Sequence, residues 1–294
     1  MGRIRPHLWF DKEAREAAEY YVATFPNSTI TDTHTLHDTP SGDAEVVSFE
    51  LFGQGFIAIS AGPLFTFTPA VSFLVSCATD AEVDEYWRQL ADGGTALMPL
   101  GSNPFSDHYG WTQDRYGLSW QVMLASGREI PQRITPTLMF VGDVCGKAEE
   151  ALRYYTSVFP KSEVGEIARY GPGEEPDRQE TVKHGAFTLA GQHFAAMDSA
   201  RAHDFTFNEA VSLLVDCETQ DEIDRYWEAL SAVPEAEQCG WLKDRYGLSW
   251  QIVPAAMDEM MRRGSKEQMA RVTKAFLAMH KLDVAELQKA YDGR

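Results

Sequence analysis

Residues 110–122 read GWTQDRYGLSWQV, and residues 240–252 read GWLKDRYGLSWQI, so a block of thirteen positions returns almost unchanged 130 positions later. A second block, LFTFTPAVSFLVSC at 64–77, returns as DFTFNEAVSLLVDC at 204–217, and each copy runs into an acidic stretch that closes on Tyr86-Trp87 or Tyr226-Trp227. A third pair, Phe25-Pro26 and Phe159-Pro160, keeps the same order. The separations drift from pair to pair. Packed elements resist insertions and surface connections tolerate them, so this pattern describes two homologous domains whose loops have changed length. The chain divides on this basis into residues 1–127, 128–254 and a tail at 255–294.

At 294 residues each repeat is long enough to bury its own core, and 44% hydrophobic and 12% aromatic content supplies the material. No segment approaches the roughly 20 apolar residues needed to cross a bilayer. The opening MGRIRPHLWF lacks the apolar centre of a secretory signal, which gives a cytoplasmic protein as the expectation. Four cysteines, Cys77, Cys145, Cys217 and Cys239, show no CxxC and no zinc-like spacing. Cys77 and Cys217 close equivalent apolar runs and read as buried thiols. A net charge of −18 opposes contact with nucleic acid or an anionic membrane.

Within each repeat, strand-like runs at 4–10 and 134–141 precede segments whose apolar residues fall at helical spacing. These are Ala14, Ala17, Ala18, Tyr21 and Val22 in one repeat and Ala148, Ala151, Leu152, Tyr155 and Val158 in the other. Both helices should stop before Pro26 and Pro160. Three strands should follow each, at 29–36, 45–52 and 56–60, and at 163–170, 180–189 and 194–198. The order then restarts. Apolar strands at 71–75 and 211–215 lead into helices at 80–90, capped by Thr79, and at 221–230, capped by Thr219 or Gln220, with hairpins at 110–124 and 240–253. Each repeat is thus a tandem of two β-α-β-β-β units. The first carries a longer loop at 91–109, whose Asp107 and His108 could cover a cavity as a lid. After Pro254 a Met-rich helical tail begins, with Ser265 as N-cap, expected to pack on its own protein or on a sister subunit.

A tandem of β-α-β-β-β units ending in D-x-x-G-x-x-W-Q resembles the vicinal oxygen chelate superfamily of glyoxalase I, bleomycin-resistance and extradiol dioxygenase proteins. The wording FTFNEAVSLLVDC, DEIDRYW and CGWLKDRYGLSWQIVP is similar to its PhnB-like family, whose members carry the name 3-demethylubiquinone-9 3-methyltransferase. The likeness covers both repeats and extends into the tail. It implies an α+β fold of two tandem domains of paired units, in which curled sheets form cups that hold a small molecule, often over a divalent metal.

Carried over by position, the resemblance places His7, Ser60, Ser72 and Gln121 in the first repeat, and Thr137, Asp198, Ser212 and Gln251 in the second, at the ligand-binding positions of the cups. A divalent metal needs several anionic or imidazole ligands, and only His7 and Asp198 qualify. The expectation is therefore a cup without a tightly held metal, in which neutral amides and hydroxyls orient a polar organic molecule or satisfy one another in a filled barrel. A metal-dependent lyase, isomerase or dioxygenase centred on His7, and a sequestering protein of the bleomycin-resistance kind, are the alternatives. A homodimer is possible. His34, His37, His193 and His203 read as surface residues, and Trp111, Trp120, Trp241 and Trp250 as core or stacking groups. Methyl transfer from an adenosyl-sulfonium donor would call for a Gly-rich strand-to-helix turn in a doubly wound sheet, and neither turn nor sheet is in the sequence.

Overall fold

A computed structural model describes residues 4–294; the first three residues, where the first repeat opens, lie outside the described residues. The first unit comprises β1 (Ile4–Phe10), α1 (Ala14–Thr24), β2 (Thr29–Thr39), β3 (Gly42–Leu51) and β4 (Gln54–Ser60). The second comprises β5 (Val71–Cys77), α2 (Asp80–Leu90), β6 (Thr95–Asn103), β7 (Ser106–Gln113) and β8 (Ser119–Leu124). The third comprises β9 (Ile134–Phe140), α3 (Ala148–Val158), β10 (Glu163–Arg169), β11 (Val182–Leu189) and β12 (Gln192–Asp198). The fourth comprises β13 (Val211–Cys217), α4 (Gln220–Leu230), β14 (Trp241–Lys243) and β15 (Ser249–Pro254), and the tail adds α5 (Ala255–Arg263), α6 (Lys266–Leu277) and α7 (Val284–Asp292).

Helical spacing becomes burial directly. Ala14, Ala17, Ala18 and Tyr21 of α1, and Ala148, Ala151, Leu152 and Tyr155 of α3, have no exposed surface, so the small residues let each helix lie close against its sheet. Thr79 and Thr219 cap α2 and α4 by accepting from the backbone N–H of Glu82 and Glu222. Ser265 and Gln268 form a capping box at α6.

The strands join across the repeats. One sheet runs β14-β15-β13-β1-β4-β3-β2 and the other β10-β11-β12-β9-β5-β8-β7-β6. The first unit pairs with the fourth through antiparallel β1 and β13, with His7 opposite Ser212. The second pairs with the third through β5 and β9, with Ser72 opposite Thr137. The compact units follow the sheets: one takes the chain up to Val22, Ser28–Thr66 and Asn208–Arg294, the other Ala23–Asn27 and Phe67–Phe207. The sequence repeats at 1–127 and 128–254 each therefore contribute strands to both units. β1, β5, β9 and β13 are almost wholly buried along their lengths, as strands with neighbours on both edges must be.

The stretch at 91–109, expected as a loop, is mostly strand: β6 and β7 form a hairpin on the edge of the second sheet. Pro99, Gly101 and Pro104 hide its alternation. Register shifts between Ala96 and Met98, Met98 and Gly101, and Gly101 and Asn103 absorb Pro99 and Gly101, because a bulge tolerates a missing donor and a bend, and Pro104 sits in the turn between the two strands.

The repeated D-R-Y-G turn has a common cause in both units. Asp114 Oδ1 accepts from the backbone N–H groups of Tyr116 and Leu118, and Oδ2 accepts from Trp120 Nε1 at 2.9 Å. Asp244 does the same with Tyr246, Leu248 and Trp250, again at 2.9 Å to the indole. Gly117 and Gly247 close the turn with φ near +86°. A buried carboxylate with three donors thus anchors a fully buried indole and fixes the register of the strand that follows.

In the unit built from β1 and β13, the tail folds back on the sheet. Met260, Met261, Val272, Phe276, Leu282 and Leu287 join Val46, Ile57, Leu214 and Val253 in one apolar cluster. Arg5 ties the tail down by donating to Asp216 on β13 and to Asp258 on α5. Burial opposes its charge, but the two carboxylates outweigh burial and raise its pKa.

Candidate functional site

Beneath the tail lies a cavity of about 370 Å³ on the concave face of the seven-stranded sheet. Strand alternation decides what faces it. His7 and Trp9 project from β1, Ile57 and Ile59 from β4, and Trp241, Gln251 and Val253 from β14 and β15. Met257, Met261, Phe276, Leu277 and Leu282 of the tail complete the wall. The lining is mainly apolar and aromatic with a few polar atoms, the composition of a small-molecule pocket.

His7 is the most perturbed group there. It is 5% exposed, and its Nδ1 is buried without a hydrogen-bond partner among the described residues. The ring meets Trp241 edge to face, centroids 5.4 Å apart, and Trp241 in turn contacts Trp9. Burial, reinforced by the Arg5 charge, lowers the His7 pKa to about 3, so the imidazole is neutral at physiological pH. Beside it, Gln251 Nε2 donates to Ser212 Oγ at 2.9 Å, which fixes the amide and leaves Oε1 with no partner among the described residues. His34 of β2 also lines the cavity, its Nδ1 2.8 Å from Asp32 Oδ2. The surface position expected for His34 is thus corrected: it is half-buried, because β2 curls over the cup and β3 backs it.

The eight positions singled out from sequence fall into three groups. His7, Ser212 and Gln251 come together in this unit. Ser72, Gln121 and Thr137 come together in the other, where Gln121 Nε2 donates to Ser72 Oγ at 2.8 Å and Thr137 lies opposite Ser72. Ser60 and Asp198 are placed elsewhere. Ser60 Oγ accepts from the N–H of Ala14 at the start of α1. Asp198 accepts from the N–H groups of Gly146, Ala148 and Val182, serving the first turn of α3 and the start of β11. The period of two in a strand explains it: Ile59, one position earlier than Ser60, lines the cavity. Sequence reasoning missed Trp9, His34, Phe65 and the tail residues, and only Trp241 was among the candidates.

The second unit fills its cup itself. Tyr109, on β7 and 4% exposed, stands on the same face as Gln121 and donates its phenol to Gln121 Oε1 at 2.7 Å. Trp111 Nε1 donates to Ser119 Oγ at 2.8 Å. On the seven-stranded sheet the equivalent Ser249 Oγ, in the fourth unit, is buried and unpaired among the described residues, because Trp241 is committed to the cavity wall against His7.

A divalent metal does not fit either cup. One holds the neutral His7 imidazole beside an amide whose nitrogen faces Ser212, while its other donors are engaged, His34 with Asp32, Glu209 with Lys243 and Asp258 with Arg5; the other offers an amide and two hydroxyls; the Asp198 carboxylate is spent on backbone N–H groups. Among the described residues, no three His, Cys, Asp or Glu side chains are grouped to hold a metal ion. All four cysteines are free thiols, and burial raises Cys77 and Cys217 to about 12. No helix among the described residues is long and apolar enough to cross a membrane.

Paired β-α-β-β-β units, the fourth here one strand short, with cups on the concave faces of mixed sheets define the vicinal oxygen chelate superfamily. Within it, the profile of the family described as 3-demethylubiquinone-9 3-methyltransferase matches residues 2–123 and 132–253, and the chain belongs to that PhnB-like family, in two copies. Glyoxalase I from Zea mays superposes with a TM-score of 0.56 at 9% identity, covering 90% of this chain and 98% of that one, which supports the fold. A PhnB protein from Bacillus cereus is 39% identical over 41% of this chain and 98% of its own, with a TM-score of 0.39. No curated protein matches the chain.

Proposed function

We propose that this protein binds a small, largely apolar organic molecule carrying at least one polar group in the cup beneath its helical tail, without a tightly held metal. The observation that carries this reading is the cavity of about 370 Å³ whose mainly apolar wall includes His7, whose Nδ1 is buried and unpaired among the described residues, and Gln251, whose Oε1 has no partner among them. A buried polar atom without a partner, such as His7 Nδ1, costs of order 1–3 kcal/mol, and a ligand that supplies the partner recovers that cost on binding; Gln251 Oε1 offers a free acceptor on a cavity-lining residue. His7, Ser212 and Gln251 are the binding group in this reading. Ser72, Gln121 and Thr137 belong to a cup that Tyr109 occupies, which supports a structural role for that half. Methyl transfer, which the family description names, has no part in this reading: the mixed curled sheets lack the doubly wound βαβ arrangement that commonly seats an adenosyl cofactor.

Native mass spectrometry of gently purified protein, followed by extraction of whatever travels with it, tests the proposal. The expected result is a bound organic species displaced by His7→Trp, which fills the cup. A species bound equally by that variant, or stoichiometric metal lost together with the ligand on chelation, would refute it. Incubation of the identified ligand then separates sequestration from turnover by whether a product forms.

A further inference from the structure

We infer that the open cup takes a hydroxylated aromatic ring, a phenol, whose hydroxyl donates to Gln251 Oε1; this rests on the binding role proposed above. The duplication supplies the argument. In the second unit the same cup face already holds a phenol, the side chain of Tyr109, with its hydroxyl 2.7 Å from Gln121 Oε1. Gln121 is oriented by Ser72 as Gln251 is by Ser212, with Nε2 to Oγ distances of 2.8 Å and 2.9 Å. The serine holds the amide nitrogen in both, so the amide oxygen faces inward in both. One oxygen has a phenol donor, and the other has no partner among the described residues.

The removal of the internal phenol is visible in the chain. By repeat position Tyr109 corresponds to Cys239, the edge hairpin of β6 and β7 has shrunk to the three-residue β14, and Cys239 itself lines the cavity. Trp9 meets Phe65 and Trp241 edge to face in that wall, at 5.1 Å and 6.1 Å, and the three offer aromatic surface to a ring. Among the described residues no Lys or Arg lines the cavity, and its charged members, Glu209 and Asp258, are paired with Lys243 and Arg5. The wall therefore suits a neutral donor better than an anion. Burial likewise raises the Tyr109 hydroxyl above its ordinary pKa and keeps it protonated.

The test compares 4-methylphenol, which is the tyrosine side chain cut free, with 4-methylanisole and toluene, by NMR titration followed at the His7 ring and the Trp9 and Trp241 indoles. The expected result is 4-methylphenol bound about fivefold or more tighter than either analogue, the worth of one net hydrogen bond, and Gln251→Leu removing that preference while toluene binding persists. Equal affinity for the three ligands overturns the phenol assignment and leaves the cavity reading standing; no binding of any of them overturns both. Tyr109→Ala gives an independent check. It should open a second site, seen at the Trp111 indole, that also prefers 4-methylphenol, and a folded variant that gains no such site overturns the assignment. The wild-type comparison stands whether or not that variant folds.

Discussion

The buried neutral imidazole of His7 makes the protein's response to acid a quantitative test of the site. In the folded chain the pKa is lowered to about 3, by burial first and by the Arg5 charge second, against an ordinary value of 6.5. Between those values the unfolded chain binds a proton that the folded chain refuses. The stability tied to His7 is therefore fully present above about pH 6.5 and is lost as pH falls towards about 3. One proton corresponds to a slope of about 1.4 kcal/mol per pH unit, so moving from pH 8 to pH 4.5 should cost about 3 kcal/mol through this residue alone. His7→Gln keeps a polar side chain of similar reach and removes the titration. Urea unfolding of both proteins at half-unit steps from pH 8 to pH 4.5 isolates the contribution, because other titrating groups are common to both and cancel in the difference. The wild-type curve should fall more steeply by that amount. Parallel curves, or a His7 ring titrating by NMR near pH 6.5 in the folded protein, would show that the imidazole is hydrated and the cup is not the closed apolar site described.

Three further outcomes follow from the geometry. Asp244→Ala should destabilise the protein by about 3 kcal/mol or more, since it strips the carboxylate from two backbone N–H groups and the buried Trp250 indole; Trp250 fluorescence and urea midpoints report it, and a loss under 1 kcal/mol contradicts the anchoring role. Phe276→Ala, at a residue shared by the tail cluster and the cavity wall, should cost about 3 kcal/mol and increase binding of a hydrophobic dye, read by thermal unfolding and fluorescence. Titration with manganese or zinc at micromolar to low millimolar concentration should leave the His7 resonances in place, and a site-specific, saturable shift there contradicts the donor-set argument.

Several features of this protein were legible in its letters because they rest on local rules. Duplicated blocks gave two homologous repeats, small-residue spacing gave α1 and α3, Thr79, Thr219 and Ser265 gave caps, and D-x-x-G gave the turn that sets the register of Gln121 and Gln251. The same turn is why those two amides could be assigned to cup faces by position. Ser60 and Asp198 had no such anchor, and in a strand one residue of slippage exchanges the cup face for the helix face. The hairpin at β6 and β7 was hidden by prolines and glycines that bulges accommodate.

Tertiary structure decided the rest, because it depends on which edges meet. A repeat in sequence says that two segments are alike, not that each closes on itself; here β1 pairs with β13 and β5 with β9, so His7 shares a cup with Ser212 and Gln251 while Thr137 shares one with Ser72 and Gln121. Whether a cup is open or filled turned on one edge strand that delivers Tyr109 to Gln121 in one unit and stops short in the other. Neighbouring residues fix helices, caps and turns through backbone geometry, whereas burial, cavity volume and the protonation of His7 are properties of surfaces brought together from distant parts of the chain.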